Sequence, residues 1–291
     1  MWWRGVRLRY RLIALDVDGT LFGSRHQVSP RTLAALASAR QRGAITVITT
    51  GRSPQSALRI SREIGGGPVV CCNGAGVLDE AGRVLHLAGI PADPLVKTLT
   101  LGRRAGVLTH CYTPDGLVLD RPLAHLVNAY AWLRAGGKAF EAALGVARMW
   151  GANRTRLVPS LRRWAALPDR PPVLKLMLFG APAGLPALAE QICREVQGVE
   201  VTSSGADNIE VTAAGVSKAS GLMVLGERLG IPPEAMIAFG DSDNDLAMLR
   251  YVGLGVAMGN ARPHVKAAAD RVAPPCDEDG VAHVLEEVCG G

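Results

Sequence analysis

The stretch Leu12-Ile13-Ala14-Leu15-Asp16-Val17-Asp18-Gly19-Thr20-Leu21 decides how the rest of the chain is read. Its four leading apolar residues are too few for a helix and read as a buried strand of a parallel sheet. They run directly into two carboxylates spaced by two, followed by Gly-Thr. The C-terminal end of such a strand is where open α/β sheets gather their ligands. Alternation along an extended chain sends Asp16 and Asp18 to the same side, so two negative charges converge. Like charges that close require a bound cation, a shared proton, or both. The competing reading is a surface turn, because Asp-Gly is also a hairpin signal.

Outward from this stretch the chain alternates strand and helix. Ser29-Pro30 supplies an N-cap and a first-turn proline for a helix that runs to Gly43, and Ala44 to Thr50 is an apolar, β-branched strand. Ser53-Pro54 opens a second helix ending near Gly65-Gly66-Gly67, and Pro68 to Cys72 is a third strand. The alternation returns after residue 207. Ile209–Thr212 and Met236–Phe239 read as strands, with a helix from Ser217 to Leu229 between them. A short helix at Asp243–Arg250, a strand at Gly253–Met258 and helices at 262–269 and 279–288 follow. Such alternation specifies a doubly wound parallel sheet of the α/β class. Between the halves the texture changes: a hairpin about Pro114-Asp115-Gly116, helices around 122–134 and 137–150, a strand at 173–179 and a helix near 185–197. The expected organisation is a core of residues 11–83 and 207–291 with an inserted α+β domain at 84–206.

With 291 residues, 48% hydrophobic and 20% charged, the chain suits a two-domain globular protein. No stretch approaches the 18 apolar residues of a membrane span. The basic, amphipathic segment from Met1 to Arg11 lacks a signal-peptide core and reads as an extension ahead of the first strand. Six scattered cysteines without a Cys-x-x-Cys pair indicate neither zinc nor a disulfide framework, which points to the reducing cytoplasm. The net charge of +6 lies wholly in residues 84–206, where 14 Lys and Arg face 8 Asp and Glu. Arg154, Arg156, Arg162 and Arg163 contribute to it. A surplus of this kind either steers an anionic partner or forms a solvated arginine-rich face.

Four strand ends carry polar residues suited to one task. They are Asp16 and Asp18; Thr50-Gly51-Arg52; Lys218, one of only five lysines against 27 arginines; and Gly240-Asp241-Ser242-Asp243-Asn244-Asp245. Gathered on one sheet edge, they offer carboxylates to a hard cation and a lysine, a hydroxyl and amides to a phosphoryl group. In these residues the chain resembles the haloacid dehalogenase superfamily, specifically its Cof-type phosphatases. Asp16-Val17-Asp18-Gly19-Thr20 resembles the first motif, Thr50-Gly51-Arg52 the second, Lys218 the third and Gly240 to Asp245 the fourth. Asn73-Gly74-Ala75, Val256 to Ala261 and Asp277 to Val281 resemble further landmarks. Only 28 residues separate Leu21 from Thr50, so the 123-residue insertion follows the third strand, as in the family's C2-type cap. Thr49 stands where the family often has Ala, and Ala219 where it often has Gly.

The resemblance implies a role for each residue. Asp16 is the expected nucleophile, forming an aspartyl-phosphate. Asp18 is the expected acid and base, holding a proton beside ionised Asp16 with a raised pKa. Asp16, Asp241 and the Asp18 backbone carbonyl are the expected Mg²⁺ ligands. Thr50, the N–H groups of Val17 and Gly51, Lys218 and Asn244 are expected to hold phosphoryl oxygens. Asp245 is expected to orient Lys218 or a metal-bound water, and Arg52 and Asn73 to make substrate or structural contacts. The function so implied is Mg²⁺-dependent hydrolysis of a small phosphorylated metabolite, namely a sugar phosphate, a nucleotide or a phosphorylated cofactor. The alternatives are a phosphotransferase or mutase using the same site, and a basic module binding nucleic acid. The last is disfavoured because aromatic residues make up only 4% of the chain, too few for stacking platforms.

Overall fold

The computed structural model describes residues 9–122, 153–181, 183–203 and 207–289. The helices expected around 122–134 and 137–150, and most of the basic N-terminal segment, lie outside the described residues. Two compact units form: one from residues 1–52, 57–86 and 217–291, the other from residues 53–56 and 87–216.

The first unit is built on an eight-stranded sheet. In chain order its strands are β1 (Leu12–Leu15), β2 (Ile45–Thr49), β3 (Val69–Cys71), β4 (Gly76–Leu78) and β5 (Val84–Leu87). The second unit contributes β6 to β11, described below, and the first resumes with β12 (Met236–Gly240), β13 (Leu254–Ala257) and β14 (Arg271–Val272). The spatial order is β14-β13-β12-β1-β2-β3-β4-β5, parallel from β14 to β3, with β4 antiparallel to β3. Strand β1 is fully buried, and its alternation divides the core into two layers. Ile13 and Leu15 pack with the helices Pro30–Gln41, Pro54–Glu63 and Gly280–Cys289 on one face. Leu12 and Ala14 pack with Lys218–Leu229 and Leu246–Tyr251 on the other. This is the doubly wound arrangement read from the sequence. Strand order reverses between β1 and β12, whose residues pair Leu12 with Met236 through Leu15 with Phe239. That reversal is the topological switch point at which such sheets bind ligands.

The second unit is a six-stranded sheet, β10-β11-β9-β6-β7-β8, comprising β6 (Leu108–Thr113), β7 (Gly116–Leu119), β8 (Arg156–Leu157), β9 (Lys175–Phe179), β10 (Val199–Thr202) and β11 (Asn208–Ala213). Its apolar core forms against the helices Ala92–Arg104, Leu161–Ala165 and Leu185–Glu195. The expected boundary at residue 207 therefore moves to 217. Ile209–Thr212 has the alternation of a strand, but it pairs antiparallel with β9 and β10 rather than joining the parallel sheet. The periodicity identifies a strand and is silent about its partner. No helix among the described residues is long and apolar enough to cross a membrane, and Cys71, Cys72, Cys111, Cys193 and Cys276 are free thiols.

Candidate active site

Strand β1 ends at Leu15, and the Asp16 N–H still donates to the Phe239 carbonyl of β12 (3.1 Å). Beyond it the chain folds tightly over Val17, whose carbonyl accepts from the N–H groups of Thr20, Leu21 and Phe22. Gly19 adopts φ +85°, and a Cβ there would lie 2.2 Å from Asp241 Oδ2, so only glycine lets the carboxylate after β12 approach this turn. The Val17 N–H and the Asp18 carbonyl make no hydrogen bond among the described residues, which leaves both backbone groups open to a ligand.

Asp16 is buried and meets Lys218, whose ammonium is fully enclosed. Lys218 Nζ donates to Asp16 Oδ1 at 2.5 Å and to Asp245 Oδ1 at 2.6 Å. The other Asp245 oxygen accepts from the N–H groups of Asp241 and Ser242, both at 3.0 Å. Asp245 thus fixes the lysine with one oxygen and the loop after β12 with the other. Lys218 is the first residue of its helix, capped by Ser217 through a reciprocal bond with Ser220. Gly74 makes this placement possible. At φ +107°, a Cβ on it would lie 1.9 Å from the Ser217 carbonyl.

One ammonium does not balance three carboxylates. Oxygens of Asp16, Asp241 and Asp245 lie within 4.8 Å of one another. Burial pushes Asp16 up to about 8; the Lys218 charge opposes this, and the charges of Asp245 and Asp241 add to it. Burial and Asp245 likewise push Asp241 up to about 6. Burial works against the Lys218 ammonium, yet Asp16 and Asp245 outweigh it and hold its pKa above the ordinary lysine value. An excess of negative charge on hard oxygen donors fits a divalent cation of the Mg²⁺ type. Both Asp245 oxygens are held by short hydrogen bonds, whereas Asp241 accepts only at 3.5 Å, from Thr20 and Asn260, and Asp16 accepts from Lys218 through one oxygen, so Asp16 and Asp241 are the carboxylates that could hold it.

Thr50 is buried directly after β2, its Oγ1 accepting from the Arg52 N–H at 3.2 Å and its carbonyl from the Asn73 N–H at 3.1 Å. The Asn73 side chain accepts from Asn244 Nδ2 (3.2 Å) and orients that amide. Gly51 follows Thr50 in the same loop. Sequence reasoning named Asn260 only as part of a landmark. Its amide donates to the Gly19 carbonyl (2.8 Å) and accepts from the Cys276 N–H (2.9 Å), tying the first turn to the segment after β14. A polar residue just past the end of β13, a site-bearing strand end, was the available signal.

Asp18 departs from expectation. Its carboxylate does not converge with Asp16. It is 58% exposed and accepts two hydrogen bonds from Arg52, Nε to Oδ2 at 2.8 Å and Nη2 to Oδ1 at 2.5 Å. The extended conformation stops at Leu15, so alternation no longer governs residue 18. Arg52 stacks over the Phe22 ring, 5.3 Å from its centroid, and its pKa is raised chiefly by the hydrogen bonds to Asp18. Instead of an acid poised beside Asp16, the arrangement is a closed ion pair.

A family description of haloacid dehalogenase-like hydrolases matches residues 13–285. The HMP-PP phosphatase of Serratia proteamaculans is 31% identical over 281 residues, covering 95% of this chain and 94% of that protein. The pyridoxal phosphate phosphatase YbhA of Escherichia coli is 29% identical over 278 residues, covering 94% and 97%. Among solved structures, a haloacid dehalogenase-like hydrolase from B. subtilis superposes with a TM-score of 0.80 at 28% identity, over 95% of this chain and 99% of that one.

Proposed function

This chain belongs to the haloacid dehalogenase-like hydrolase family, and from that membership we propose that it hydrolyses small phosphorylated metabolites through an aspartyl-phosphate on Asp16. The observation that carries the reading is the Lys218 ammonium, enclosed between Asp16 and Asp245 at the switch point of the sheet. It fixes one Asp16 oxygen and leaves the other for attack, and its charge offsets that of a bound phosphoryl group.

A carboxylate oxygen of Asp16 forms a bond to phosphorus while the bond to the leaving oxygen breaks in line with it. Asp18 gives its proton to that oxygen, and the alcohol departs. Water then attacks the phosphorus, Asp18 takes the water's proton, and the Asp16–phosphorus bond breaks to release orthophosphate. Thr50, the Val17 and Gly51 N–H groups, Lys218 and Asn244 hold the phosphoryl oxygens, with Asn73 orienting Asn244. Asp16, Asp241 and the Asp18 carbonyl would hold Mg²⁺, which when bound would neutralise charge on the phosphoryl oxygens. Arg52 has to leave Asp18 before that carboxyl can serve as an acid, and an arriving phosphate is the competing partner for its guanidinium. Among substrate classes the phosphorylated cofactors come first for testing, because the Escherichia coli relative is named for pyridoxal phosphate.

Asp16→Asn is expected to lower kcat on the order of 10⁴-fold with an unchanged circular dichroism spectrum. Acid quenching is expected to trap covalent phosphate on the wild type and none on the variant. Full activity in Asp16→Asn would overturn the mechanism. Asp18→Asn is expected to be impaired most with poor leaving groups, so a plot of log kcat against leaving-group pKa steepens. An unaltered slope would remove Asp18 from the acid role.

A further inference from the structure

The second unit contains a cavity of about 320 Å³ between the helix Ala92–Arg104, the end of β7 and the helix Leu161–Ala165. Arg103 and Arg104 close the first helix, Arg162 and Arg163 lie on the short helix, and Arg121 follows β7. All five guanidinium-bearing residues line the cavity, against a single lining carboxylate, Asp120. Asp120 is already committed. Its Oδ1 lies 3.4 Å from Arg121 Nε, and its Oδ2 lies 3.7 Å from Arg103 Nη1 and accepts from the Leu161 N–H at 3.2 Å. Arg121 is further pinned by donating to the Val107 carbonyl at 2.5 Å. Arg104, Arg162 and Arg163 have no carboxylate partner among the described residues.

A solvated arginine face spreads its charges over a convex surface, where water and salt screen them. Here five arginines line one concave space whose volume falls in the range of small-ligand pockets, and the exposed side chains of Arg103, Arg104, Arg162 and Arg163 are within reach of a ligand entering it. Guanidinium forks match phosphoryl oxygens bidentately. Charge also sets the ligand class. Five cations less one carboxylate leave a surplus of four, whereas one phosphomonoester brings about two negative charges at neutral pH. We propose that this cavity binds a small polyanion carrying two or more linked phosphoryl groups. Every residue of the cavity lies in the second unit, and every group assigned to the reaction lies in the first, so the two sites share no side chain. An inorganic polyphosphate and the phosphate chain of a nucleoside triphosphate present the same chemistry.

The test is titration calorimetry with inorganic tripolyphosphate, ATP and adenosine in EDTA. Saturable binding of tripolyphosphate is expected, with no binding of adenosine. Equal affinity for ATP makes the phosphate chain the whole determinant; tighter ATP binding assigns the site to nucleotides. The variant Arg104→Ala/Arg162→Ala/Arg163→Ala, altered only at exposed side chains, is expected to bind tripolyphosphate at least tenfold more weakly with an unchanged melting temperature in ligand-free buffer. Asn244→Asp, which sets a negative charge against phosphate at the reaction site, is expected to bind it as the wild type does. Absence of saturation, wild-type affinity in the triple variant, or loss of binding in Asn244→Asp would each overturn the assignment. The Asn244→Asp result reports on the cavity whether or not the proposed phosphatase mechanism holds.

Discussion

Thr49 and Thr50 are neighbours with opposite fates. The Thr50 hydroxyl accepts from the Arg52 N–H, whereas the Thr49 hydroxyl is fully buried with no partner among the described residues. A buried hydroxyl without a hydrogen bond is destabilising, and removing it while keeping shape recovers that cost. Thr49→Val is therefore expected to stabilise the protein by about 1 kcal/mol in urea denaturation with kcat unchanged. A loss of stability would mean that the hydroxyl has a partner, for example an ordered water. At this scale the sequence disclosed chemistry better than partnership. Asp16, Lys218 and Asp241 were legible because few other purposes bring such groups to strand ends. The Arg52–Asp18 pair was not, because the strand ends at Leu15 and the chain then folds back over Val17, so alternation does not carry to Asp18.

Among the elements, the helix beginning at Lys218 is positioned from outside itself. Its N-cap fixes where it starts, but the close approach of Gly74 to the Ser217 carbonyl fixes how near it lies to the turn after β3. Gly74→Ala would place a methyl group on that carbonyl at a left-handed backbone position. The expected cost is about 1–3 kcal/mol of stability and a kcat lowered about 10²-fold through displacement of the lysine. Steady-state kinetics together with a melting curve read both effects. Unchanged kcat would dissociate this contact from catalysis. Asn73-Gly74-Ala75 was visible in the sequence only as a landmark after the third strand, and the partner of Gly74 lies more than 140 residues away, beyond the reach of local periodicity. The same limit misplaced β11, whose alternation is plain and whose neighbours are not.

For the molecule as a whole, the crowded carboxylates link folding to pH and to metal. Burial raises both Asp16 and Asp241, so each binds its proton more tightly folded than at the unfolded value of 3.8. Stability of the metal-free protein is then expected to be fully present below 3.8 and to fall as pH rises through about 6 and about 8, the values for Asp241 and Asp16. Mg²⁺ binds the deprotonated form, so the gain in melting temperature on adding MgCl₂ should grow across the same window. An equal gain at pH 5 and pH 8 would refute the link. The two-unit division was legible from the change in texture after β3 and the return of strand–helix alternation. Its far boundary was not, for the reason already given for β11. The interrupted course of the first unit also bears on how the protein is made. Asp16 and Lys218 are 202 residues apart, and β1 takes its central place only when β12 pairs beside it. During synthesis the second unit's segment leaves the ribosome complete while β1 still lacks that neighbour. Non-local pairing of this kind is slow and leaves strand edges open in the meantime. The same topology that brings Asp16 together with Lys218 and Asp241 therefore makes the nascent chain wait, with one edge of the buried strand β1 unpaired, until the last third of the chain is made.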